Sequence, residues 1–115
     1  MTGLFEQAMS KMRRHNPQTR EDGYHELLPH AATYVDELTR EFRSEQSDQG
    51  LRCWLLELLA EARSPRASAL LADQLHSPDD ALRSRAAHGL ELLDTKEARQ
   101  ALWDAQPADR DHPDA

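Results

Sequence analysis

The sequence predicts an all-α protein, a short solenoid of antiparallel helix pairs. Strand-favouring residues are scarce, since Val35 is the only valine and isoleucine is absent, whereas the helix formers Leu, Ala, Glu and Arg dominate. Apolar residues recur at helical spacing along most of the chain. Residues 48–73 also resemble residues 79–104 at a shift of 31 positions, and a fixed period of this size is typical of a helical repeat array.

Composition limits the size and the partners of the protein. A chain of 115 residues with 38% apolar residues forms one domain with a modest core. Its 21 acidic and 14 basic residues leave a net charge of −7, which repels phosphate backbones and attracts basic proteins. We therefore expect no binding to nucleic acid, and a protein partner that is basic.

Cysteine content and apolar runs indicate where the protein resides. The single cysteine, Cys53, allows no intramolecular disulfide and fits a reducing compartment. Charges at Glu6 and Lys11 interrupt the N-terminal apolar residues, which therefore do not form the core of a signal peptide. The longest uncharged apolar run, residues 53–56, is far too short to span a membrane. We expect a cytoplasmic protein without membrane contact, and the excess of arginine over lysine is typical of a bacterial origin.

The N-terminal part, residues 1–22, is predicted to form a cap helix and a loop. An amphipathic helix spans residues 3–14, and a polar loop over residues 15–23 contains Pro17 and Gly23. The apolar stripe of the helix indicates packing on the domain. A helix that binds a membrane surface or a partner is the alternative.

Two helix pairs are predicted, residues 29–62 and residues 65–93. The first helix of the earlier pair starts at Pro29, because proline is tolerated in the first turn of a helix. Ser47 or Asp48 can cap the second helix of that pair, whose leucines cover most of its circumference.

The later elements have similar start signals. Ser64 followed by Pro65 is an N-cap with proline at the first helical position. A threonine cap then starts a terminal half repeat over residues 95–105. Residues 106–115 contain two prolines, three aspartates and no large apolar residue, which predicts a disordered acidic tail. The folded domain is therefore residues 1–105.

A recognisable motif begins with residues 77–83, SPDDALR. Ala86, Ala87 and Leu90 follow, so that an aspartate-rich turn precedes an aliphatic-Arg pair, an alanine pair and a leucine. This pattern resembles a HEAT repeat, in particular the short bacterial type of bilin-lyase-like HEAT proteins. The resemblance covers residues 29–105 and implies a right-handed solenoid of about two repeats plus an N-terminal helix.

Both copies of the repeat carry an aspartate and, four residues later, an arginine. These are Asp48 with Arg52, and Asp79 with Arg83. The aspartate can cap a helix N-terminus, and the arginine can bond to it or to the adjacent repeat. We therefore assign a structural role to both pairs.

The resemblance also implies a binding surface. In HEAT arrays the second helix of each pair lines the concave face, which is the usual site of binding. Carried onto this sequence, the outward-facing row of these helices is mildly acidic and rich in hydrogen-bonding groups. The row consists of Gln49, Cys53, Glu57, Asp80, Ser84, His88 and Glu91. Each residue taken singly also fits a solvated surface; as a patch, the row is the predicted partner-binding site.

Motifs for catalysis or metal binding are weak. The six histidines lack the spacing of metal ligands, and no glycine-rich phosphate loop occurs, so we expect no metal and no cofactor. A dyad of Cys53 and His88, brought together by the fold, is the one nucleophilic arrangement left open. Among aromatic residues, Trp54 is predicted to pack in the core. Trp103 is a candidate anchor, packing at the end of the stack or contacting a partner.

The sequence thus favours a non-enzymatic protein–protein interaction module, a small scaffold or adaptor that binds its partner through the concave face. Two alternatives stay open. One is an acidic immunity- or antitoxin-like protein that neutralises a basic toxin, and the other is a bilin-lyase-like enzyme or chaperone. Since so few repeats give a small interface, we expect a monomer or a weak homodimer.

Overall fold

The computed structural model describes residues 3–106, and all regular structure there is helical, which confirms the all-α prediction. The α-helices are α1 (Leu4–Met12), α2 (Pro17–Leu27), α3 (Val35–Ser44), α4 (Gln49–Glu61), α5 (Ser68–Gln74), α6 (Asp80–Leu93) and α7 (Lys96–Asp104). Two 3-10 segments, Leu28–Tyr34 and Pro65–Ala67, precede α3 and α5. The predicted acidic tail falls, from residue 107 onward, outside the described residues.

The helices form the two layers of a repeat array. Consecutive helices pair as α1 with α2, α3 with α4, and α5 with α6. We call α1, α3, α5 and α7 the first helices, and α2, α4 and α6 the second helices. The second helices contact one another in that order, and α7 packs against α5 and α6. Each second helix is therefore held both by its own pair and by its neighbours in the layer.

The core lies between the two layers, and in residues 3–106 no polar or charged residue is buried within it. Helix α4 is its centre, because leucines on most of its circumference are buried. Full burial of one leucine side chain contributes about 1.5–3 kcal/mol. The largest fully buried side chains are Phe42, Met12, Leu27, Leu38, Leu51, Leu55, Leu56, Leu58, Leu59, Leu71, Leu82 and Leu90.

Side-chain caps mark the helix starts that the sequence predicts. Asp48 Oδ1 accepts a hydrogen bond from the Leu51 N–H at 3.0 Å at the start of α4. Asp79 Oδ1 accepts from two backbone N–H groups at the start of α6. Thr95 caps α7, and Ser64 caps the 3-10 segment before α5. These caps satisfy N–H groups that the first turn of a helix leaves without a partner.

The prediction of a loop over residues 15–23 is wrong, because most of this stretch belongs to α2. The carboxamide oxygen of Asn16 accepts a hydrogen bond from the Thr19 N–H at 3.1 Å, so Asn16 is the N-cap. Pro17 follows at the first helical position, where proline is well tolerated. The polar side chains of this helix are exposed because only a narrow face of it meets the core.

Gly23, which suggested a turn, lies inside α2 at the point where α1 crosses it. A Cβ atom on Gly23 would lie 2.5 Å from the Ala8 carbonyl oxygen and 2.8 Å from Met12 Cγ. Glycine is therefore required here for the close approach of two helices and not for a turn.

The helix predicted from Pro29 begins as a 3-10 segment and becomes α-helical only at Val35. Proline has no N–H to donate, and its ring crowds the preceding turn, which prevents α2 from continuing through it. Tyr34 then takes φ −110° and ψ 26°, outside the α-helical region, and separates the segment from α3. The helix predicted from Pro65 likewise starts with a 3-10 turn.

The N-terminal helix packs within the array as part of a complete helix pair. Its apolar face is covered, and the Phe5 ring lies 5.3 Å from the Tyr34 ring. Arg20 of α2 reaches Asp48 at 3.1 Å, which ties this pair to the start of α4. The buried residues of α1 are Phe5, Ala8, Met9 and Met12. The array thus begins with α1 and α2, one helix pair earlier than the sequence resemblance indicates.

Glu45 holds the turn between α3 and α4. Its carboxylate accepts backbone N–H hydrogen bonds from Asp48 at 2.9 Å and Ser47 at 3.1 Å, and Arg13 of α1 donates to it at 2.9 Å. Arg13 also pairs with Glu41. The Asp48 N–H, then Arg13 and the Ser47 N–H, lower the pKa of Glu45 to about 2.

We predict that Gly23→Ala destabilises the protein by about 1–3 kcal/mol, because the added methyl group must push α1 and α2 apart. Chemical unfolding followed by circular dichroism measures this. Gly50→Ala is the matched control: the nearest atom to its new Cβ would lie 3.6 Å away, and alanine favours the helix. A loss of stability at Gly50 equal to that at Gly23 would contradict the packing argument.

We predict that Glu45→Gln lowers the melting temperature at pH 7 and that this difference shrinks as the pH falls. The folded-state pKa of Glu45 is lowered from 4.5 to about 2, so its contribution is present above pH 4.5 and is lost as the pH approaches 2. Thermal unfolding at pH 7, 4 and 3 measures it. Glu37→Gln, on α3 and without an ion pair in the described part of the chain, should show no such pH dependence. A difference in melting temperature between wild type and Glu45→Gln that stays constant with pH would contradict the prediction.

Candidate interaction surface

The outer sides of α2, α4 and α6 form one continuous surface, which we call the second-helix surface. It is continuous because α4 lies between α2 and α6 and contacts both. By the resemblance to HEAT arrays, it corresponds to the concave face.

Five of the seven residues in the predicted binding row line two adjoining grooves. The exposed members of the row are Gln49, Asp80, Ser84, His88 and Glu91, and its half-buried members are Cys53 and Glu57. A groove between α4 and α6, the central groove, is lined by Glu57, Ala60, Glu61, Ser84, Arg85 and His88. Asp80 and Glu91 instead lie in a second groove, beyond α6, which Ser84 also borders. Ser84 lines both grooves, so the members on α6 form one stripe along that helix, whereas Gln49 and Cys53 line neither groove.

Glu57 links the three second helices. The Tyr24 hydroxyl of α2 donates a hydrogen bond to Glu57 Oε2 at 2.5 Å, and Arg85 Nε of α6 lies 3.3 Å from Glu57 Oε1. Burial and then the hydrogen bond to Glu57 raise the pKa of Tyr24. The Tyr24 ring also meets the half-buried Trp54 edge-on at 4.8 Å. Glu57 is thus engaged within the array, and its charge is partly compensated.

Glu61 is the carboxylate of the central groove that has fewer partners. Its side chain is 37% exposed, as is that of Glu57, but its only described partner is His88, with Nε2 at 3.3 Å from Glu61 Oε2. Sequence reasoning missed Glu61, although it continues the row of Gln49, Cys53 and Glu57 by one further step of four residues. Glu61 therefore adds a second carboxylate to the central groove beside Glu57.

The aspartates of the repeat pairs cap helices, but the arginines bond elsewhere. Asp48 accepts from Arg20 and not from Arg52. Arg83 pairs with Asp80 and donates to the Ser77 carbonyl oxygen at 2.6 Å. Of the two expected arrangements, neither arginine side chain adopts the bond to the aspartate four residues earlier, and Oδ1 of each aspartate accepts backbone N–H groups.

Arg52 packs against an aromatic ring. Its guanidinium carbon lies 4.2 Å from the centroid of the Phe42 ring, and so the charge contributes a cation–π contact within the α3–α4 pair. This contact supports the structural role that the sequence assigns to Arg52.

The second groove lies between α6 and α7, and we call it the terminal groove. Its floor is apolar and its rim is charged. It is lined by Leu75, Asp80, Arg83, Ser84, Ala87, Glu91, Leu102, Ala105 and Gln106. Trp103 of α7 is 59% exposed and is not one of the residues that line this groove. Both predicted alternatives for Trp103, end packing and partner contact, remain predictions.

The described residues offer neither a metal site nor a membrane span. In residues 3–106, no group of three or more His, Cys, Asp or Glu side chains is placed to hold a metal ion. None of the helices in the same range combines the length and the apolar character needed to cross a membrane.

Comparison with known families agrees with the helix pairing. A family model described as HEAT repeats matches residues 35–113, which is more than half of the chain. The chain belongs to the HEAT-repeat family. No curated protein and no solved structure gives a significant match. The HEAT match starts at Val35, the first residue of α3, so the pair formed by α1 and α2 lies outside it.

We predict that Glu57→Gln lowers the pKa of Tyr24 toward its ordinary value of 10, because the hydrogen bond to the carboxylate is one of the causes that raise it. Burial remains the largest cause of the raised pKa, so the pKa of Tyr24 should not return fully to its ordinary value. Absorbance of tyrosinate against pH, in a Tyr34→Phe background, measures the change. Glu61→Gln is the control and should give a smaller shift, since Glu61 acts only through its charge. An unchanged titration of Tyr24 would refute the link.

Proposed function

We propose that this protein is a non-enzymatic interaction module that binds a basic protein partner through the central groove of its second-helix surface. HEAT repeats commonly mediate protein–protein interaction, and the family match supports this general role. The observation that carries the finer proposal is the carboxylate of Glu61, whose only described partner is His88, in a groove lined by two second helices.

The groove suits a partner that presents a basic side chain. Glu57 is already satisfied by Tyr24 and Arg85, and it therefore rigidifies the groove. Glu61 shares its carboxylate only with His88, which is exposed and charged only when protonated. A lysine or arginine of a partner can replace or join His88 at Glu61 and form a charge-assisted hydrogen bond. The net charge of −7 would speed the approach of such a partner.

Nucleophilic catalysis by Cys53 has weaker support. Burial raises the pKa of the Cys53 thiol, which reduces the fraction of reactive thiolate. His88, the expected base, contacts Glu61. An interaction module therefore fits the polar groups of this surface better than an enzyme does.

A basic toxin is one class of partner with the required chemistry, because an immunity-like protein neutralises its target through complementary charge. The acidic composition and Glu61 support this alternative to the same degree as a general adaptor. Identifying the bound protein separates the two, since a toxin partner would be cytotoxic when expressed without this chain.

We predict that Glu61→Lys lowers the affinity for the partner about tenfold or more, equivalent to about 1.4 kcal/mol. Tagged wild-type and variant proteins are used to isolate partners from the producing cells, and affinity for the protein retained by the wild type is then measured. Binding should also weaken with added salt, because the charges are partly exposed. Glu57→Lys is a poor choice for this purpose, since it would break the contacts to Tyr24 and Arg85.

The matched control is Asp73→Lys, an exposed charge reversal on α5 in the layer of first helices. Melting temperatures of both variants establish that the fold is intact. The proposal fails if the partner binds folded Glu61→Lys and wild-type protein equally, or if Asp73→Lys weakens binding as strongly.

A further inference from the structure

The terminal groove corresponds, through the 31-residue repeat, to a groove beside α4 that is occupied by α6. Shifting Ser84, Ala87 and Glu91 of α6 back by 31 positions gives three residues of α4, namely Cys53, Leu56 and Ala60. That side of α4 is covered by α6. A Cβ atom on Gly89 of α6 would lie 2.9 Å from Ala60 Cβ, so the two helices are in close contact.

The first helices follow the same correspondence. Leu102 of α7 takes the place of Leu71 of α5, and both belong to the core cluster or pack against it. Leu102 and Leu75 line the terminal groove, whereas Leu71 is fully buried. Within residues 3–106, no helix follows α7 to cover this apolar floor. The groove therefore has the shape of a helix site and is open.

All three α4 residues are replaced in the terminal groove, and two of the replacements reduce its apolar character most. Leu56, which is fully buried, is replaced by the half-buried Ala87, and the buried Ala60 is replaced by the exposed Glu91. The floor is thus less apolar, and a carboxylate lies at the point of closest helix approach. Glu91 forms no ion pair with any residue of the described range. Consider a helix that packs in the terminal groove in the way that α6 packs on α4. The residue of that helix equivalent to Gly89 would lie against Glu91.

We propose that the terminal groove binds one amphipathic helix of a partner protein, with a lysine or arginine at the position that pairs with Glu91. The apolar face of the helix covers Leu75 and Leu102, and its basic residue neutralises the carboxylate. Because the floor is less apolar than the internal groove, the helix binds reversibly and does not become a permanent part of the array.

Charge and composition favour this occupant over two others. A second copy of this chain would add a net charge of −7 beside Glu91, which opposes self-association. Residues 107–115 contain no large apolar side chain, whereas α6 fills the internal groove with Leu82 and Leu90. A basic amphipathic helix therefore complements the apolar floor and the acidic rim better than a second copy of the chain or residues 107–115 would.

The test uses a peptide with the sequence of residues 79–94 of this chain, because α6 is the helix that fits the equivalent groove. One peptide carries Gly89→Lys and its matched control carries Gly89→Glu. Neither fits the internal groove, where even a Cβ at Gly89 lies too close to Ala60. Fluorescence anisotropy with the full chain should show the lysine peptide binding at least tenfold tighter than the glutamate peptide. The variant Glu91→Lys should reverse this preference.

Blocking the groove provides an independent readout. Ala87→Arg places a long side chain on the groove floor and should abolish binding of the lysine peptide, while Ala69→Arg, exposed on α5, should leave it unchanged. Circular dichroism establishes that both variants are folded. The proposal is overturned if the lysine peptide does not bind at millimolar concentration, if charge reversal at Glu91 leaves the preference unchanged, or if Ala87→Arg has no effect.

Two further outcomes would assign the groove to another occupant and overturn the proposal. One is peptide binding that occurs only after residues 107–115 are removed, which would make that segment the occupant. The other is a dimer, seen by sedimentation, that Ala87→Arg dissociates and Ala69→Arg does not. Helix α6 separates the terminal groove from Glu61. A failure of the helix-binding proposal would therefore leave the proposed function of the central groove unaffected.

Discussion

Packing around α4 is the constraint on which the rest of the structure depends. This helix contacts α2, α3 and α6, and its leucines are buried on most sides. Contact with α6 depends on small residues, because Gly89 lies directly against Ala60. A helix that is packed on most of its sides cannot shift without opening the core, so α4 sets the positions of its neighbours in both layers.

The polar surface results from the same packing. Because α4 lies between α2 and α6, Glu57 can meet Tyr24 on one side and Arg85 on the other. One carboxylate thereby connects three helices and holds the second-helix surface in one arrangement. Glu61, one turn further along α4, pairs only with His88 among the described residues. Neighbouring acids on one helix thus differ in how many contacts they make within the array.

The departures from repeat symmetry carry as much information as the symmetry itself. A repeat that must be covered by another keeps apolar or small residues on its outer side, as α4 does with Leu56 and Ala60. The equivalent side of α6 has Ala87 and Glu91, which weakens packing and adds charge. Such a local violation of the packing rule is expected where a surface binds a partner.

The sequence by itself determined the helical class, the repeat and most helix starts. These features depend on local signals: apolar spacing, the caps at Asp48, Asp79 and Thr95, and a period of 31 residues. The motif also identified the HEAT-repeat family, which the family match confirms.

Only the tertiary structure decided which polar residues meet. Tyr24 and Glu57 are 33 residues apart, and the sequence repeat of residues 48–73 and 79–104 does not include Tyr24. Likewise, Gly23 has the local signature of a turn, and only the crossing of α1 explains its position inside a helix. Local patterns follow from the conformational preferences of each segment. These contacts depend instead on how separate segments pack, and the pattern of any one segment does not encode that packing.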